Sequence, residues 1–73
     1  MPARLTRLIS AAAHFGITIE KPSHGSHWKA KKPKCRTYPI PAYKGERTMI
    51  SDRYLRGFCD NFGIELEDLQ EKL

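Results

Sequence analysis

Apolar positions recur along the chain with two different periods, and the changes of period mark out the elements. Leu5, Leu8, Ile9, Ala12 and Phe15 share one stripe at helical spacing, which predicts an amphipathic helix over residues 3–15. Pro2 suits the first turn of such a helix, where its missing N–H has no partner to lose, and Gly16 suits a left-handed stop. Arg4, Arg7, Ala11 and His14 form a second stripe beside the apolar one. The period then falls to two. Ile17-Thr18-Ile19-Glu20 predicts a half-buried strand with both isoleucines inward, ended by Pro22. From Ser26 onward a second strand puts Trp28 and Ala30 on one face and His27, Lys29 and Lys31 on the other. Arg36-Thr37-Tyr38-Pro39-Ile40-Pro41 reads as a third strand with Tyr38 and Ile40 inward. Its two prolines cannot donate to a ladder, which assigns it to a sheet edge.

Helical spacing returns after a loop containing Tyr43, Lys44, Gly45, Glu46 and Arg47. Ser51 is a natural N-cap, Asp52 suits the positive end of the helix dipole, and Gly63 is a stop. The apolar stripe is Tyr54, Leu55, Phe58, Cys59 and Phe62, with Cys59 expected in the core. Gly57 lowers helix propensity and suits close packing against the alanines of the first helix. Leu66, Leu69 and Leu73 add a short acidic helix over residues 65–73. The expected fold is α+β: one helix, a three-stranded antiparallel sheet and a second helix, with both main helices on the Trp28 face and the opposite face open.

The 73 residues predict a single domain spanning 1–73. A chain of this size buries roughly 60% of its unfolded surface, which argues against a deep substrate cavity. The apolar runs are too short to span a bilayer, so no membrane partner is expected. No secretory h-region precedes the first helix, and Cys35 and Cys59 match no metal or redox spacing. A reducing, cytoplasmic compartment is therefore expected. The net charge of +5 conceals an asymmetry: residues 1–58 carry twelve Lys or Arg against three acids, whereas residues 59–73 carry one Lys against five. Lys29, Lys31, Lys32, Lys34 and Arg36 follow one another with no acid between them, a local field that attracts a polyanion such as RNA.

Immediately before that basic stretch Gly25-Ser26-His27 supplies a tight turn and one imidazole. An imidazole changes charge near neutral pH, so it can take a proton from a ribose 2′-hydroxyl or give one to a leaving 5′-oxygen. The neighbouring lysines can offset the charge on the phosphate. A metal site made from His24, His27 and Cys35 is the competing chemistry, but its spacing fits no zinc pattern and no carboxylate lies near in sequence. No metal or other cofactor is therefore expected. His24 shapes the turn or binds phosphate. Tyr43 stacks on a base, assists with a proton or simply packs, three roles the sequence does not separate.

The chain resembles the HicA family of bacterial toxins, small mRNA interferases of toxin-antitoxin pairs. The resemblance runs over nearly the whole chain: the first helix ending in Phe15-Gly16, the Gly25-Ser26-His27 turn into a strand, the third strand Tyr38-Pro39-Ile40-Pro41, and the second helix ending near Phe62-Gly63-Ile64. It implies a double-stranded-RNA-binding-domain-like fold, metal-independent mRNA cleavage with His27 as the catalytic histidine and Gly25 and Ser26 as its flanking motif, and a HicB-type antitoxin as partner. The chain departs from the family at Tyr43, where many members carry a histidine, and at His24, where a basic residue is common. A role supporting His27 accordingly falls to Tyr43, to Lys29, or to no second group.

Overall fold

In the computed structural model, which describes residues 2–73, the chain runs β1 (Ala3–Arg4), α1 (Leu5–Ala13), β2 (Thr18–Glu20), β3 (His27–Lys31), β4 (Tyr38–Pro41), a 3₁₀ turn (Gly45–Arg47), β5 (Met49–Ile50), α2 (Asp52–Phe62) and α3 (Leu66–Lys72). The main sheet is antiparallel in the order β2-β3-β4, so the proline-bearing strand does lie at an edge. Trp28, Ala30 and Ile40 from its inner face join Leu5, Leu8, Ala11 and Ala12 of α1 and Leu55, Phe58, Cys59 and Phe62 of α2 in one core. The domain is thus α+β, with a three-stranded antiparallel sheet covered on its Trp28 side.

The first helix is shorter than its apolar period predicts, at both ends for stated reasons. Ala3 and Arg4 stay extended because they pair with Ile50 and Met49, and the Leu5 N–H donates to the Thr48 carbonyl at 2.8 Å. Pro2 therefore precedes a strand and does not open the helix. At the other end Gly16 takes φ +73°, and the N–H groups of Ile17 and Gly16 return to the carbonyls of Ala12 and Ala13, a Schellman arrangement. The second stripe of α1 dissolves too: Ala11 is buried, Arg4 is in β1, and Arg7 Nη1 donates to the Leu73 carbonyl at 3.2 Å.

Two strands also begin later than their patterns suggest. The Ile17 N–H is committed to Ala12, so β2 starts at Thr18 although Ile17 is buried as expected. The Arg36 carbonyl accepts from Asn61 Nδ2 at 2.8 Å, which ties it to α2, and β4 starts at Tyr38. In α2 the Ser51 Oγ accepts from the Tyr54 N–H at 3.2 Å, the expected cap. Cys59 lies in the core, where burial, followed by Asp60 and Glu65, pushes its thiol pKa up. Both cysteines are free thiols.

Gly57 packs against the sheet, not against the alanines of α1. A Cβ built on it would stand 2.5 Å from the Tyr38 hydroxyl and 3.5 Å from the ring carbon that bears it. Tyr38 cannot retreat easily: its hydroxyl donates to the Tyr54 carbonyl at 3.3 Å, and its ring packs against those of Tyr54, Phe58 and Phe62. The Tyr54 hydroxyl donates in turn to the Pro39 carbonyl, so β4 and α2 are bonded in both directions. Burial raises the pKa of both phenols. Gly57→Ala should therefore destabilise the fold by about 1–3 kcal/mol, the range for overpacking, despite a helix-propensity gain of about 1 kcal/mol. Urea unfolding of Gly57→Ala, Tyr38→Phe and the double variant checks this. Removing the hydroxyl should recover most of the loss, and additive effects would refute the contact.

Candidate nucleic-acid interface

Strand parity builds the candidate site. Along β3 the side chains of His27, Lys29 and Lys31 are exposed while Trp28 and Ala30 are buried, as their alternation requires. The register sets their neighbours: His27 lies across from Pro41, Lys29 across from both Glu20 and Pro39, and Lys31 across from Thr18. Pro39 and Pro41 have no N–H to exchange, so they sit at non-hydrogen-bonded positions, where facing side chains come closest. The Pro41 ring is accordingly the immediate cross-strand neighbour of the His27 imidazole.

Glu20 changes the charge of this face. Its Oε1 lies 3.0 Å from Lys31 Nζ, with both side chains about half exposed. The basic run is free of acids along the chain but not across the sheet. The signal was present in the sequence, since alternation over residues 17–20 turns Thr18 and Glu20 outward, and an antiparallel hairpin brings them beside the lysines.

The remaining basic residues divide between the two ends of β3. Lys32, Lys34 and Arg36 belong to the β3–β4 turn, closed by the Cys35 N–H donating to the Lys32 carbonyl at 3.1 Å, with Lys34 at φ +68°. That turn lies beyond Lys31, itself about 13 Å from His27 at about 3.3 Å per strand residue. They are not part of one cluster with the imidazole. At the His27 end, exposed His24 precedes Gly25, whose φ of +79° bends the backbone into the strand. The Ser26 carbonyl accepts from the Ala42 N–H at 2.7 Å, which fixes the Tyr43 loop beside the Gly25-Ser26 turn. Between them lies an open groove of about 560 Å³ whose rim carries Lys21, Lys44 and Arg47. These three cations escape a linear reading because they come from two loops that only the fold brings together.

The His27 side chain has no hydrogen-bond or ion-pair partner among the described residues. His24, His27 and Cys35 do not converge, and no three His, Cys, Asp or Glu among the described residues group as metal ligands would. No helix among these residues is long and apolar enough to cross a membrane. No protein-family model matches the chain, and no curated protein or solved structure matches it either.

The Glu20 pairing gives a direct test of whether the open sheet face meets a polyanion. Glu20→Gln releases Lys31, so binding of RNA should tighten and the plot of log affinity against log salt should steepen by about 0.7–0.9, one added phosphate contact. Stability should change by less than about 1 kcal/mol, because the pair is half in solvent. An unchanged affinity and slope would show that the polyanion binds elsewhere.

Proposed function

We propose that this chain is a HicA-like toxin of a toxin-antitoxin pair, an mRNA-cleaving ribonuclease of double-stranded-RNA-binding-domain-like fold that needs no metal and is blocked by a HicB-type antitoxin. The observation that carries the reading is the exposed row of His27, Lys29 and Lys31 on the open sheet face, immediately after the Gly25-Ser26 turn. The order of helix, three antiparallel strands and helix supports the fold assignment. Free thiols at Cys35 and Cys59 suit a reducing compartment such as the cytoplasm.

In this reading His27 takes the proton of a ribose 2′-hydroxyl as the 2′-oxygen attacks the adjacent phosphorus. The bond from phosphorus to the 5′-oxygen breaks, that oxygen leaves with a proton, and a 2′,3′-cyclic phosphate remains. Lys29, about 7 Å along the same face, can bind the phosphate or protonate the leaving oxygen, and Tyr43 at the same end of the sheet is the other candidate donor. The antitoxin covers His27 and brings acidic groups to the lysines, which removes RNA binding and cleavage together. A second reading, a non-catalytic RNA-binding module on the same face, draws on the imidazole having no partner among the described residues, because a catalytic histidine is commonly oriented by a third group.

Cleavage assays in chelator separate the two. The toxin reading predicts that the wild-type protein cleaves RNA there and leaves 2′,3′-cyclic phosphate ends, and that His27→Ala cleaves ~10²- to 10⁴-fold more slowly. The variant should keep its stability to within about 0.5 kcal/mol, because the side chain is exposed. Binding without cleavage by the wild type would favour the second reading. Cleavage that returned only with added zinc or magnesium would contradict the metal-free mechanism, and undiminished cleavage by His27→Ala would remove the histidine from it.

A further inference from the structure

We infer that the groove at the His27 end of the sheet is a single-strand subsite, in which an unpaired RNA base stacks on Tyr43 while Lys21, Lys44 and Arg47 hold the flanking phosphates. The assignment rests on the RNA-binding part of the proposed function and narrows its substrate to RNA that is unpaired at this point.

Tyr43 is 80% exposed, whereas Tyr38 and Tyr54 pack on one another. An exposed tyrosine is ordinary by itself. The mounting of this one is not. Its neighbour Ala42 is buried and bonded to Ser26, the Gly45 N–H returns to the Ala42 carbonyl at 3.0 Å, and the Lys44 N–H donates to Thr48 Oγ1 at 2.9 Å. The same loop is tied to the start of α1, where the Thr6 hydroxyl donates to the Glu46 carbonyl at 2.8 Å and the Leu5 N–H to the Thr48 carbonyl at 2.8 Å. The backbone that carries the ring is thus held in place, so a ligand that covers it has only the side-chain rotamers of Tyr43 left to order.

Charge identifies the ligand. Three cations and a single acid, Glu46, surround the groove, and its volume of about 560 Å³ suits a small planar group. A stacking ring within a basic groove is how single-stranded nucleic acid is held without strong sequence preference. In a duplex both faces of every internal base are already covered, so the ring finds no base face to stack on along its length. The groove is lined by Gly25, Ser26, Trp28 and Ala42 and not by His27, so a strand seated there turns round the Gly25-Ser26 corner to bring its next phosphates to the His27 face.

The test uses the intact chain carrying His27→Ala as a non-cleaving parent, with fluorescence anisotropy against a labelled hexanucleotide and against a twelve-base-pair duplex of the same RNA composition. Adding Tyr43→Ala should weaken single-strand binding about 5- to 150-fold, the range for one base-aromatic stack, and leave duplex affinity and the single-strand salt slope unchanged. Tyr43→Phe should bind like the parent, and thermal melting of both variants should match it. Single-strand binding unchanged in Tyr43→Ala, an equal loss on duplex, or a Phe variant as weak as Ala would each overturn the assignment. A parent that binds neither RNA overturns it together with the RNA-binding reading. Failure of the wild type to cleave, with these binding results intact, removes only the catalytic part of the proposed function.

Discussion

Trp28 and Ala30 occupy alternate positions of a central strand, and their burial leaves no choice about where His27, Lys29 and Lys31 point. The indole alone removes ~150–250 Å² from water, worth on the order of 4–6 kcal/mol at about 25 cal/mol per Å². A slip of one residue in the pairing of β3 would expose that surface and turn an imidazole and two ammonium groups toward the core. The Glu20–Lys31 pair, half in solvent, is worth at most about 1 kcal/mol and cannot compete in setting the register. Its effect is on the charge that the open face presents.

The same sheet restricts how a partner can approach. At its β4 edge the outward backbone positions are Pro39 and Pro41, which offer no N–H, and the Pro39 carbonyl is occupied by the Tyr54 hydroxyl. A strand added there would find little to pair with. Exposed cations stand on the open face, around the groove at its His27 end and on the Lys32–Arg36 turn. Tyr38, Tyr54 and Gly57 hold α2 against this edge, so the packing that protects the edge also anchors the second helix.

Period and punctuation carried most of the fold. Alternation over His27–Lys31, the stripe of α2, Ser51 as cap and the edge position of Pro39 and Pro41 were all legible, because each is decided by residues within a turn or a strand of one another. The misjudged points were decided at a distance. Ala3 and Arg4 are extended because of Met49 and Ile50, and Arg36 is held out of the sheet by Asn61. Gly57 meets a tyrosine nineteen residues before it, where the sequence offered alanines of the first helix as an equally good partner. The site divides in the same way: the row on β3 follows from parity, whereas the grouping of Lys21 with Lys44 and Arg47, and the intrusion of Glu20, depend on loop and hairpin geometry.

The proposed surface for RNA runs from the Tyr43 groove round the Gly25-Ser26 turn to the exposed residues of β3. Amide chemical-shift mapping of the isotope-labelled protein with a short 2′-O-methyl RNA, which lacks the attacking hydroxyl, tests it most directly. Shifts should be concentrated at residues 21–31 and 42–47, with the helices little changed beyond their first turns. Shifts confined to α2 and α3, or to the Lys32–Arg36 turn with residues 25–29 and 43 unaffected, would contradict it.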